Sequence, residues 1–248
     1  MTLKTFLIGM LASFGLAWMC LIAIPAAKMS AIPPVKMNAE DEDAPYYQRM
    51  ASGRIQSGSA IYGANGCYYC HTQLIRPTYL GRQIWRDDVA GRVDKEEGID
   101  TRRETSYYDY DGEEFARIGL ARMGSDLSNF GYRAEKYAAA TGMTPEHWVI
   151  EHLYNPRSSA LFLGDQGQKT DRGWSNCPSQ KQMFEEVPTS GQGDGLAISS
   201  ESNGDTQVIP KEQARVLASY LLSLKRDDEM PDSLKHPVRG ADAETEAE

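Results

Sequence analysis

The chain opens with an uncharged, largely apolar run from Thr5 to Ala27, bracketed by Lys4 and Lys28. As a helix rising about 1.5 Å per residue, that run would cover roughly the 30 Å of a bilayer core. The pattern therefore predicts a transmembrane helix within residues 1–28. A cleavable signal peptide has a shorter apolar core and a small-residue cleavage site. Here the run continues through Trp18, Met19 and Cys20 into Leu21, Ile22 and Ile24, and the residues ahead of Cys20 are too bulky for a lipid-attachment box. The expectation is a retained anchor.

Polar positions dominate after Lys28. Residues 29–45, with Pro33, Pro34 and an acidic run, predict a stiff, hydrated tether, and a folded domain is expected over residues 46–227. Within it, Ile55, Ser59 and Tyr62 at helical spacing predict a helix from Tyr46 to Asn65, ended by Gly66. From Pro77 to Ile118 the mixed pattern, with a cluster at Tyr107, Tyr108 and Tyr110, predicts mostly loop with short helical pieces. Trp148, Val149 and Leu153 form an apolar stripe in a helix that Pro145 opens and Asn155 and Pro156 stop. Ala214, Leu217, Ala218, Leu221 and Leu222 share one face of a second helix predicted over 210–225, again opened by proline. The Gly- and Ser-rich stretch 189–206 predicts a flexible loop, and 228–248 an acidic, disordered tail. No repeat is visible and little suggests a sheet, so the fold class is mainly α.

The 248 residues carry a formal charge of −9. No basic patch argues for nucleic acid, and the acidity suits a soluble ectodomain that could meet basic partners.

One short run carries chemistry: Cys67-Tyr68-Tyr69-Cys70-His71. Two thiols three positions apart reach the two vinyl groups of a haem as thioethers, and the adjacent His projects under the porphyrin to bind iron. This predicts one covalently bound haem c, with Cys67 and Cys70 as tethers and His71 as proximal ligand. The competing readings are a zinc half-site, which would need a second ligand pair, and a redox dithiol, which would sit in a βαβ setting. The other cysteines, Cys20 in the apolar run and Cys177, supply no second pair.

The residues around that run add a resemblance. Gly58 to Tyr62, Gly66 to His71 and the following Thr72-Gln73-Leu74-Ile75-Arg76-Pro77 resemble the membrane-anchored monohaem cytochrome c subunit (subunit II) of cbb3-type cytochrome c oxidases. Arg122-Met123-Gly124-Ser125-Asp126-Leu127 is similar to that family's Gly-Pro-Asp-Leu run, and His152 to Arg157 matches its His-Leu-x-Asn-Pro-Arg segment. Ser175-Asn176-Cys177-Pro178 stands where the family has the segment bearing its methionine ligand. The resemblance implies a class I cytochrome c-like domain on one N-terminal transmembrane helix. Ser125 replaces the family's proline near the proximal His, although its carbonyl can still accept a hydrogen bond from His71. Cys177 replaces the methionine, and residues 165–173 look like an insertion that could shift the register. Met183 is the expected sixth ligand, with Cys177 as the alternative and a His or no protein ligand after these. Arg76 and Arg122 are candidates to bind haem propionates, or else surface ion-pair partners. His147 and His152, five apart on one helix, are not expected to form a paired metal site and are assigned structural or partner contacts.

The function implied is electron transfer from a donor cytochrome to the haem-copper catalytic subunit of a cbb3-type oxidase, alongside a further cytochrome c subunit. No catalytic oxygen site belongs to the chain itself. The domain would sit on the periplasmic side of a bacterial cytoplasmic membrane. The rival readings are a free-standing membrane-anchored shuttle, a haem-based gas sensor with an open sixth position, and a small haem peroxidase.

Overall fold

The computed structural model describes residues 2–231 apart from 39, 48–50, 87, 111, 159–160, 164–168 and 172–174, with backbone alone at 161–163 and 169–171. The chain divides into two compact units, one formed by Met1–Gln48 with Met230–Glu248 and the other by Arg49–Glu229.

In the first unit α1 (Leu3–Trp18) runs through a π-helical turn (Met19–Ala23) into α2 (Ile24–Ser30). The whole run Leu3–Ser30 is long and apolar enough to cross a membrane, an 18-residue window of it reaching a mean hydropathy of 2.3. Thr2 caps its start through a side chain accepting from the Thr5 N–H. The π turn has an identifiable cause in Pro25, which has no N–H to continue the α ladder; one residue earlier, the Ile24 N–H reaches back to the Met19 carbonyl. Within the segment read as a stiff, hydrated tether, the backbone folds back on itself. Met37 N–H donates to the Pro45 carbonyl at 2.9 Å and Tyr47 N–H to Val35 at 2.7 Å. Lys36 Nζ adds a bond to the Glu42 carbonyl at 2.6 Å.

The second unit is mainly helical, with short strands. Helix α3 (Gly53–Ala64) begins later than the expected Tyr46, because Ser52 takes the N-cap position and accepts from the Ile55 N–H. Asn65 and left-handed Gly66 end it ahead of Cys67, as the sequence predicts. Residues 77–118 hold 3₁₀ turns at Thr78–Leu80, Gln83–Trp85 and Tyr107–Tyr110 and a two-residue ladder, β1 (Val93–Asp94) with β2 (Ile99–Asp100). Helix α4 (Phe130–Thr141) was not anticipated. Its signal is Phe130, Ala134 and Ala138 at helical spacing, closed by Gly142 at a φ of 74°. Helix α5 (Pro145–Tyr154) has the predicted bounds, with Thr144 accepting from the His147 N–H.

Strands are more numerous than the sequence suggested. Backbone strands β3 (Leu161–Leu163) and β4 (Lys169–Asp171) pair, β4 alone lying in the segment 165–173 read as an insertion, the rest of which is outside the described residues. Strands β5 (Phe184–Pro188) and β6 (Thr206–Pro210) form an antiparallel hairpin. Pro210 therefore closes a strand rather than opening a helix, and α6 spans Glu212–Ser223. The Gly- and Ser-rich connection between the strands is tied down by Ile198. That residue is fully buried, and its N–H donates to the Val208 carbonyl at 2.8 Å. The proposed acidic tail falls largely outside the described residues.

The core gathers α3, α4, α5 and α6. Leu217 and Ala218 of α6 are fully buried, and each large apolar side chain so enclosed contributes about 1.5–3 kcal/mol. At the crossing of α3 and α6, Gly58 lets the backbones meet: a Cβ there would lie 2.4 Å from Tyr220 Cβ and 2.7 Å from the Val216 carbonyl oxygen. The Tyr62 and Tyr220 rings pack beside it, their centroids 5.6 Å apart.

Candidate functional site

The end of α3 delivers Cys67, Tyr68 and Tyr69 as a single 3₁₀ turn, and Cys70 N–H and His71 N–H both return to the Cys67 carbonyl, at 3.2 and 3.0 Å. Beyond it, residues 118–127 run alongside the motif. Leu120 N–H donates to Tyr68, Gly124 to Cys70 and Leu127 to Thr72, at 2.9, 2.9 and 2.8 Å, while Gln73 N–H donates to Ile118 at 2.8 Å. The side chain of Asp126 locks this pairing. It accepts from Thr72 Oγ1 at 2.7 Å, Leu74 N–H at 2.9 Å and Ser128 N–H at 2.8 Å. Gln73 ties the motif to α6 through Nε2 donating to Tyr220 Oη at 2.9 Å.

This framework fixes one imidazole. His71 Nδ1 lies 2.7 Å from the carbonyl oxygen of Ser125, an acceptor only, so Nδ1 carries the hydrogen and Nε2 keeps its lone pair. Burial holds the His71 pKa below the usual range, with the Ser125 bond opposing. The ring is neutral and able to ligate. Gly124 makes room for it: a Cβ there would lie 2.3 Å from His71 Cε1.

Cys67, Cys70 and His71 all line one cavity of ≈ 340 Å³, within the size range of cofactor sites. Its wall is largely apolar and includes Leu127 and Phe130 near α4, Leu153 of α5, and Leu217 and Leu221 of α6. The two thiols are free. Burial and the neighbouring Cys177 push the Cys67 pKa up to about 11. Among the described residues, no three His, Cys, Asp or Glu side chains converge to hold a bare metal ion. The site is therefore a largely apolar cavity with two thiols and one oriented imidazole at its edge, chemistry that suits an apolar group attached through sulfur.

The other candidates divide. Met183 does not line the cavity. The 3₁₀ turn Lys181–Met183 tucks its side chain into the core, where it is 1% exposed, so this placement does not make it the sixth ligand that the sequence favoured. Cys177 does line the cavity, half-buried, with Sγ 3.8 Å from the Pro178 carbonyl oxygen. Arg76 and Arg122 line no part of it. Arg122 is held within the chain, Nη2 donating to the Leu74 carbonyl at 2.7 Å and Nη1 lying 3.8 Å from Asp126. Arg76 packs against Gly81.

His152 was assigned a structural or partner contact, yet it lines the cavity. Trp148, one helical turn earlier, stacks on it with ring centroids 5.1 Å apart. His147 does not line the cavity, and its Nε2 lies 3.6 Å from Glu151. The spacing of Trp148 and His152 was the available signal, but which helix face meets a cavity is a tertiary fact.

No protein-family model matches the chain, and no curated protein does either.

Proposed function

We propose that the chain is a membrane-anchored c-type cytochrome that carries electrons, one haem being attached through Cys67 and Cys70 with His71 as proximal iron ligand. The observation that carries this reading is the His71 Nδ1 bond to the Ser125 carbonyl, on an imidazole that shares an apolar cavity with both thiols. A haem bound there supplies a one-electron iron couple. The chain's own part is to attach, orient and exclude water. Each thiol can add across a vinyl group, sulfur bonding to one carbon and the hydrogen passing to the other, with no oxidant required. The Ser125 carbonyl fixes the imidazole tautomer, and the leucines of α5 and α6 keep the cavity apolar.

The partners follow from the resemblance in the motif and its flanks. They are a donor cytochrome, and a haem-copper catalytic subunit of a cbb3-type oxidase with a further cytochrome c subunit. The Leu3–Ser30 helix is the anchor in this reading, with the haem domain on the periplasmic face of a bacterial cytoplasmic membrane.

The full chain, produced with the machinery that attaches haem c, is expected to gain the mass of one haem and to give the alkaline pyridine spectrum of a thioether-linked porphyrin. The double variant Cys67→Ala/Cys70→Ala should lose the covalent mass. A wild-type chain that emerges with no attached haem refutes the cofactor. Co-purification with a multi-span haem-copper subunit tests the oxidase assignment, and a protein that consumed oxygen by itself would not be a carrier.

A further inference from the structure

We propose that His152 is the second protein ligand to the iron of the haem held at His71, making a bis-imidazole pair. This deepens the haem reading above and rests on it. The starting point is the cavity wall, which presents two imidazoles, His71 from the attachment motif and His152 from the last turn of α5. The expected methionine is elsewhere, enclosed in the core.

His152 is suited to the role in three ways. It stands on a helix whose inner face is locked in the core by Trp148, Val149 and Leu153, and ligands on rigid elements are held more closely than ligands on loops. The Trp148 indole, tilted only 18° from the imidazole plane, restricts rotation of the ring. His152 lines the same cavity as His71 and the two thiols, Cys67 and Cys70.

Cys177 is the rival, and its surroundings differ. It sits on a loop, with its sulfur toward its own neighbour's carbonyl. We assign it to the cavity wall. A bis-imidazole pair places the reduction potential below that of a His/Met pair.

The test uses the full-length holoprotein in detergent. The pyridine spectrum comes first. If no haem is attached, the functional reading and this inference fall together. With haem attached, ferric electron paramagnetic resonance and near-infrared magnetic circular dichroism report the axial pair. The expected result is a low-spin bis-imidazole signature without a methionine charge-transfer band or thiolate features. His152→Ala should lose the low-spin signal, become high-spin and bind carbon monoxide readily when reduced; added imidazole should restore the low-spin spectrum, which a misfolded variant would not do. His152→Met should stay low-spin with a raised potential. Cys177→Ser should leave the wild-type spectrum unchanged. A thiolate signature that Cys177→Ser abolishes, a methionine band in the wild type, or an unaltered spectrum in His152→Ala would each overturn the assignment while leaving the haem in place.

Discussion

At Gly124 the chain passes so close to the His71 imidazole that a methyl group would meet Cε1 at 2.3 Å and Nδ1 at 2.6 Å. The loop cannot retreat freely, since the Gly124 N–H is bonded to the Cys70 carbonyl at 2.9 Å. Gly124→Ala should therefore displace the ring and cost about 1–3 kcal/mol, read as a lower denaturant midpoint together with reduced haem attachment. Ser125→Pro is expected to behave in the opposite way. The acceptor for His71 is a backbone carbonyl, which proline retains, and the stiffer chain should add about 0.4–1 kcal/mol with the haem spectrum unchanged. Cys67 gives a test by pH. Because its pKa is pushed up to about 11 from 9.0, it holds its proton across the range where a free thiol ionises. In the haem-free chain, alkylation at pH 8 should be at least ~10-fold slower than for free cysteine and should climb only as pH approaches the raised value. The Cys67 to His71 run was legible in the sequence because it is five adjacent residues. His152 was not, because its part depends on which side of α5 faces a cavity closed by α6, two segments far apart in the chain.

Among the elements, α5 was the most legible. Pro145 at its first position and Asn155 with Pro156 at its end are local signals, and the apolar stripe between them is buried as its spacing implies. The hairpin of β5 and β6 was hidden. Its strands are five residues each, one begins Phe184-Glu185-Glu186, and each is recognisable only through its partner across a long connection. That pairing also explains Pro210, which fits the end of a strand as readily as the start of a helix. Where α3 crosses α6, the small residue matters more than the apolar stripe. Gly58→Ala should force the helices apart and lower stability by about 1–3 kcal/mol, measurable by chemical denaturation, whereas Gly53→Ala, with nothing within 4 Å of the added carbon, should not disturb packing. The contrast between the two glycines separates the crossing from any general effect on helix propensity.

For the molecule as a whole, the Leu3–Ser30 helix sets the first expectation. The full chain should stay with membranes through alkaline carbonate extraction, and a chain lacking residues 2–30 should be released into the soluble fraction. Recovery of the full chain with a new N-terminus after this helix would show instead that it is removed. The long apolar helix was legible from composition alone, since its signal is only length and apolarity; the backbone bonds between Val35, Met37, Pro45 and Tyr47 were not, because they leave little trace in residue type. A last consequence follows from the crossing of α3 with α6, and it concerns order in time. Arg54 and Ser219 bond at 3.0 Å although 165 positions separate them, so the two ends of the folded unit close on each other. A chain that emerges N-terminus first presents Cys67, Cys70 and His71 long before Leu217 and Leu221 exist to wall them in. For that interval the thiols are accessible, which is when the proposed haem would be attached, and arrival of the final helix ends it. Exposure early and enclosure late is a schedule written into the connectivity, and slowing emergence of the last forty or so residues should lengthen the interval in which the thiols can react.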